Sequence, residues 1–156
     1  MLVVDPGKVT GYGFMDWVPG DQGSVTFTGG ELPHDDFVDW SWGVLVARRE
    51  EWAVDRVLCE GFSVNQRTVK ECPTDQEMWP VKQIGLLETW CRWGGKLFQR
   101  CMPGDKSFDK DGAKLRRLGW WEPAARGERG HRRDAGRHAV KWAVDHNIID
   151  RRALLP

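Results

Sequence analysis

The apolar run Leu2-Val3-Val4 ends on Asp5, and the run Val57-Leu58-Cys59 ends on Glu60. An unpaired carboxylate at the end of a buried strand is costly, so each acid calls for a partner. For Asp5 two readings stand at this point, because Asp followed by Pro6-Gly7 is also an ordinary turn signal. Further along, His131-Arg132-Arg133-Asp134 opens an expected helix, where positions i and i+3 share a face, so His131 and Asp134 can point at one place. Two strands ending in acids and lying side by side would bring Asp5 and Glu60 together with this pair. Close carboxylates repel, and the usual remedies are a shared proton or a bound cation. Oxygen-rich ligands suit Mg2+ or Mn2+, the single imidazole favouring Mn2+ somewhat. Two such ions about 3.5–4 Å apart can activate a water and stabilise the leaving oxygen of a phosphodiester. His131 has a competing reading as a helix N-cap or surface histidine, and His138 on the same helix reads as a packing or surface residue.

The elements that must position these residues follow from periodicity and turn signals. Residues 1–5 and 11–17 read as two strands joined by a tight 6–10 turn, whose glycines let the hairpin fold back sharply, and 24–30 alternates as a third strand. Residues 35–52 have helical spacing, with acids early and arginines late, and 55–60 is a short fourth strand. The stretch 61–77 has no period and reads as an exposed functional loop. A second helix over 78–94 stops at Gly94-Gly95, and 96–102 is a fifth strand. Pro103-Gly104 breaks that strand, a short helix follows near 110–118, and a last helix covers 131–146 with Ala135, Ala139, Val140, Ala143 and Val144 on one stripe. The order βββαβαβα implies an α/β fold, a mixed five-stranded sheet flanked by helices, which is the order of the ribonuclease H-like fold. In such a sheet strands one and four are parallel neighbours, and sites lie at carboxyl ends of strands.

At 156 residues the chain is long enough for one domain with a real core, and no internal boundary or repeat is visible. The formal net charge is zero, but residues 101–156 hold 13 basic against 8 acidic side chains while residues 1–50 hold 3 against 8. A basic stretch beside acids suits a site holding both metal ions and phosphates, and it equally suits a solvated charged face. Cys59, Cys72, Cys91 and Cys101 form no CxxC or CxxH pair and read as reduced thiols, with no zinc ribbon indicated. No apolar run is long enough to cross a bilayer and the chain enters its first strand directly, so a cytosolic protein is expected. Most of the ten tryptophans read as core residues, with the Trp120-Trp121 pair open to base stacking or an interface.

The stretch "DPGKVTGYGF", the strand ending "LCE" and the helix "HRRDAGRHAV" resemble the RuvC family of Holliday-junction resolvases, and particularly the small RuvC-like nucleases of bacteriophages. The likeness runs in order along nearly the whole chain. It implies a ribonuclease H-like fold, a homodimer and metal-dependent cleavage of branched DNA by nicking symmetrically placed strands of four-way junctions, with forks and flaps left open as further substrates. Under it Asp5 would bridge two metals, Glu60 and Asp134 would complete them, and His131 would stand where relatives carry an acid or a histidine. Water deprotonated at one metal would attack in line and leave 5′-phosphate and 3′-hydroxyl ends.

For DNA contact, Phe62 is the nearest candidate for the aromatic wedge of some relatives, against a competing reading as a cap on the core. Arg67 and Lys70 suit phosphate contact, as do Lys110, Lys114 and Arg132 in the basic segment. Lys106 follows the fifth strand at a place from which it could reach the scissile phosphate and offset transition-state charge. The second helix, with Trp79, Trp90 and Trp93, is the candidate dimer surface. A phosphate-handling ATPase is excluded by length, since it needs two domains, and no nucleotide cofactor is expected. An RNA-processing nuclease of the same fold and a non-catalytic branched-DNA module remain as alternatives. Against the module, three carboxylates unused by metal would only weaken DNA binding.

Overall fold

The structure, a computed structural model, describes residues 1–21, 24–47, 53–62, 78–123 and 130–155. Strands β1 (Leu2–Asp5), β2 (Val9–Trp17) and β3 (Val25–Pro33) form an antiparallel meander. Helix α1 (His34–Leu45), β4 (Arg56–Glu60), helix α2 (Trp79–Trp93) and β5 (Leu97–Cys101) follow. A 3-10 helix (Pro103–Asp109), the one-turn α3 (Ala113–Arg117), helix α4 (His131–Asp145) and a last 3-10 turn (Arg151–Leu154) complete the order. The sheet runs β3-β2-β1-β4-β5, with β4 parallel to both β1 and β5. It is the mixed five-stranded sheet expected from the sequence.

Alternation along the strands sorts the core into two layers. Leu2, Val4, Val57 and Cys59 face one side and pack with Phe37, Val44 and Leu45 of α1 and Ile84, Leu87 and Trp90 of α2. Val3, Leu58, Met15 and Phe27 face the other side, against Ala135, Ala139, Val140 and Ala143 of α4. Small residues on α4 let it lie close to the sheet. By the same alternation Asp5, two residues after Val3, and Glu60, two after Leu58, emerge on the α4 side.

Two devices hold the N-terminal end of α4 and the first turn in place. A Cβ on Gly11 would lie 2.1 Å from the His131 carbonyl carbon, so only glycine lets β2 meet the start of α4 backbone to backbone. Gly130, at φ +87°, turns the chain into that helix. On the opposite face the buried Gln83 of α2 accepts from the Gly7 N–H at 2.9 Å and donates to Thr10 Oγ1 at 2.6 Å. Thr10 in turn donates to the Gly7 carbonyl at 3.2 Å, so both backbone polar groups of Gly7, in the turn after Asp5, are held from inside.

Three sequence expectations change. Helix α1 ends at Leu45, where the Val46 N–H closes on the Trp42 carbonyl, and its last turn carries no basic residue. Arg48, Arg49 and Trp52 lie outside the described residues. The segment after β5 is a 3-10 helix through Asp109, begun by Pro103 and by Asp105, which accepts from the Met102 N–H at 2.9 Å. Trp120 is a core residue stacked on Phe27 with ring centroids 5.4 Å apart, and Trp121 lies beneath Arg116 and Arg133. The free thiols Cys59, Cys91 and Cys101 match their reading, while Cys72 lies outside the described residues. Among the described residues no helix is long and apolar enough to cross a membrane.

Gly11→Ala should lower unfolding free energy by about 1–3 kcal/mol, because the added methyl overpacks two backbones that cannot step aside. Urea denaturation reads this directly, and an unchanged midpoint would show that α4 does not dock as described.

Candidate active site

Asp5, Glu60, Lys106, His131 and Asp134 line one open cleft of about 220 Å3, with Phe62 and Pro80 on its wall. A larger hollow of about 480 Å3 between Trp17–Asp21 and His146–Ile148 contains none of these five residues. Four separate pieces of chain contribute. The parallel register that pairs Val4 with Cys59 puts the ends of β1 and β4 level, and α4 brings its first two turns over them. The 3-10 helix after β5 lowers Lys106 from the side.

Lys106 is the hub. Its Nζ lies 3.1 Å from Asp5 Oδ1, 2.9 Å from Glu60 Oε2 and 3.3 Å from Asp134 Oδ2. His131 Nδ1 lies 2.7 Å from the other Asp5 oxygen, and Arg137 donates to Asp134 Oδ1 at 2.6 Å. Arg137 also donates to the Asp109 carbonyl at 3.0 Å, tying the lysine-bearing segment to α4. Asp109, fully buried, accepts from the N–H groups of Lys114 and Leu115 and so anchors α3 beneath the same corner.

Burial separates the two strand-end acids. Asp5 is 4 % exposed, and desolvation, with a proton shared toward Glu60, pushes its pKa up to about 6 against the pull of His131 and Lys106. Glu60 is desolvated too, but hydrogen bonds from His138, Asp5 and Lys106 win and hold it well below the usual carboxylate range. Lys106 is raised: its desolvation is outweighed by Asp5, Glu60 and Asp134. His131 is raised chiefly by its hydrogen bond to Asp5.

The residues fit a hard divalent cation. The ammonium of Lys106 already occupies a point within 3.3 Å of all three carboxylates, which is where positive charge is wanted. Ligand atoms of Asp5, Glu60 and His138 lie within 4.8 Å of one another, as do those of Asp5, His131 and Asp134, and Asp5 belongs to both trios. Oxygen donors from three carboxylates converging on one position are what such an ion requires.

His138 is the residue that sequence reasoning missed. Its side chain is fully enclosed and its Nε2 lies 3.1 Å from Glu60 Oε2. The signal was available: 131, 134 and 138 continue one helical face at i, i+3 and i+7. Phe62, 37 % exposed, stands on the cleft wall. Lys110 is exposed, and the Nζ of Lys114 sits 4.8 Å over the Phe108 ring. Arg132 turns away to pair with Glu122, its backbone N–H donating to Glu31. Arg67 and Lys70 lie outside the described residues.

No protein-family profile and no curated protein matches the chain. Solved structures do. The Thermus thermophilus RuvC structure is 16% identical with a TM-score of 0.60, covering 95% of this chain and 96% of that one. T. thermophilus RuvC in complex with Holliday junction substrate is 13% identical with a TM-score of 0.61 and the same coverage. The chain has the RuvC fold. At such identity the RuvC fold is kept by strand alternation and helix packing, with little residue-by-residue match. The RuvC fold also accounts for the site's location, since a parallel β1–β4 pair makes two strand ends meet under one helix.

The raised pKa of Asp5 has a measurable sign in metal-free protein. Its contribution to stability is complete below the unfolded value of 3.8 and is lost as pH rises through about 6. Urea midpoints in chelator from about pH 4 to about pH 7 should therefore fall for wild type relative to Asp5→Asn. Parallel pH profiles for the two proteins would remove the assignment of the shared proton to Asp5.

Proposed function

We propose that the protein is a metal-dependent endonuclease that resolves Holliday junctions and other branched DNA by hydrolysing phosphodiester bonds. The observation that carries this reading is the convergence of Asp5, Glu60 and Asp134, from three separate elements, on one cation position in an open cleft. The fold shared with a RuvC bound to Holliday junction substrate supports the choice of branched DNA as substrate.

Asp5, Glu60, His131 and Asp134 would hold Mg2+ or Mn2+, with Asp5 common to both ligand groups. Bound there, a pair of such ions would supply an activated water and charge neutralisation at the departing oxygen, and the expected products carry 5′-phosphate ends. Glu60 is kept ionised by His138 and so is ready as a ligand at neutral pH. Lys106 reaches toward the phosphoryl oxygens once the carboxylates have another cation, and offsets negative charge that grows in the transition state. Phe62 stands where it can meet an unstacked base, and Lys110 and Lys114 on the neighbouring surface suit phosphate contact. Arg132 is the weakest member of the DNA-contact set because Glu122 already engages it. Resolution of a symmetric junction calls for two copies of the site. Trp93 of α2, 65 % exposed, and Trp42 of α1 offer an apolar patch for that pairing, whereas Trp90 is buried in the core.

The decisive assay incubates a four-way junction, plain duplex and single-stranded RNA with the protein and Mg2+ or Mn2+. Junction cleavage should predominate, and Asp5→Asn should reduce it by at least about a thousandfold while leaving junction binding intact. A mutant that still cuts, or a wild type that prefers single-stranded RNA, would falsify the proposal. Sedimentation of the same preparation at micromolar concentration should give a dimer, and a monomer would contradict the pairing.

A further inference from the structure

Beside the cleft lies a second group of donors, which shares only His138 with the ligand trios already described. Cys101 ends β5 level with Glu60 in the β4–β5 register, Asp105 lies in the first turn of the 3-10 helix, and His138 rises from α4. One ligand atom from each lies within 4.8 Å of the others.

His138 has two different nitrogens. Nε2 faces Glu60 Oε2 at 3.1 Å, while Nδ1 is buried with no hydrogen-bond partner among the described residues. With Nε2 given to Glu60, Nδ1 is the nitrogen left over, in a residue 1 % exposed. A buried polar nitrogen left unused is unfavourable, and metal coordination is one way to satisfy it. A histidine that ligates metal through one nitrogen and donates from the other to a carboxylate is a recurring arrangement, in which the carboxylate fixes the ring and raises its basicity. Glu60 and His138 already form its outer half.

We propose that Cys101, Asp105 and His138 Nδ1 form a site for a thiophilic divalent cation of the Zn2+ class, separate from the Asp5 cleft and linked to it through the His138–Glu60 hydrogen bond. One sulfur, one nitrogen and one oxygen donor select such an ion over Mg2+. Cys101 and Asp105 are half-buried, which leaves a fourth position for water. Asp105 uses one oxygen on the Met102 N–H and keeps the other. On binding, the Cys101 S–H bond breaks, the proton passes to bulk water, and the sulfur lone pair goes to the cation. An occupied site fastens β5, the Lys106 segment and α4 to one another, and so fixes the two residues that hold Glu60.

Cobalt(II) is the probe, because thiolate coordination gives a charge-transfer absorption that oxygen and nitrogen ligands do not. Co2+ titrated into the purified full chain should produce that band at one equivalent. The band should be lost in Cys101→Ser, persist in Asp5→Asn and withstand excess Mg2+. Asp105→Asn, a change at a half-exposed side chain that should fold, should weaken Co2+ binding by about tenfold or more. No band in wild type, a band surviving in Cys101→Ser, loss of the band in Asp5→Asn or with Mg2+, or unchanged affinity in Asp105→Asn would each overturn the site.

Discussion

Like-charge repulsion among Asp5, Glu60 and Asp134 is the constraint around which this molecule is organised. Left alone, three carboxylates in one partly dehydrated cleft would push the strand ends and the helix apart. Lys106 answers that repulsion by placing one ammonium within 3.3 Å of all three. Arg137 takes the outer oxygen of Asp134 and fastens the Lys106 segment through the Asp109 carbonyl. The two imidazoles divide the remaining work, His131 on Asp5 and His138 on Glu60. The same constraint makes the cluster receptive to a divalent cation, since three carboxylates converge where, among the described residues, Lys106 alone meets all of them.

The rest of the fold makes this crowding geometrically possible. Parallel pairing of β1 with β4 puts two acids level on the α4 side, and the alanines of α4 let the helix come down onto them. Gly11 then admits the helix start where any side chain would strike the His131 backbone. From the other face Gln83 and Thr10 hold the turn after Asp5, so the acid is positioned by the backbone on both sides of the sheet. Buried polar contacts of this kind contribute modestly to stability and strongly to placing one residue in one position.

Much of this was legible in the sequence because it depends on periodicities of two and 3.6. Both acids close apolar runs, and His131 with Asp134 keeps helical spacing, so their meeting follows from sheet order alone. What escaped depends on contacts between elements. The glycines after Asp5 read as turn residues, whereas Gly11 is required by a helix more than a hundred residues later. His138 sits among the apolar positions of α4 and looks like packing until Glu60 is placed opposite it. Lys106 was legible as a residue near the phosphate but not as the hub of three ion pairs, since a 3-10 turn begun by Pro103 sets its height.

Manganese located by anomalous diffraction in crystals of the wild-type protein tests the central claim most directly, because it reports position rather than activity. The expected result is anomalous density bound by Asp5 together with Glu60 or Asp134, with the Lys106 ammonium moved off the carboxylates. Manganese absent from Asp5 at saturating concentration, or Lys106 still seated among the three acids beside a metal bound elsewhere, would contradict it.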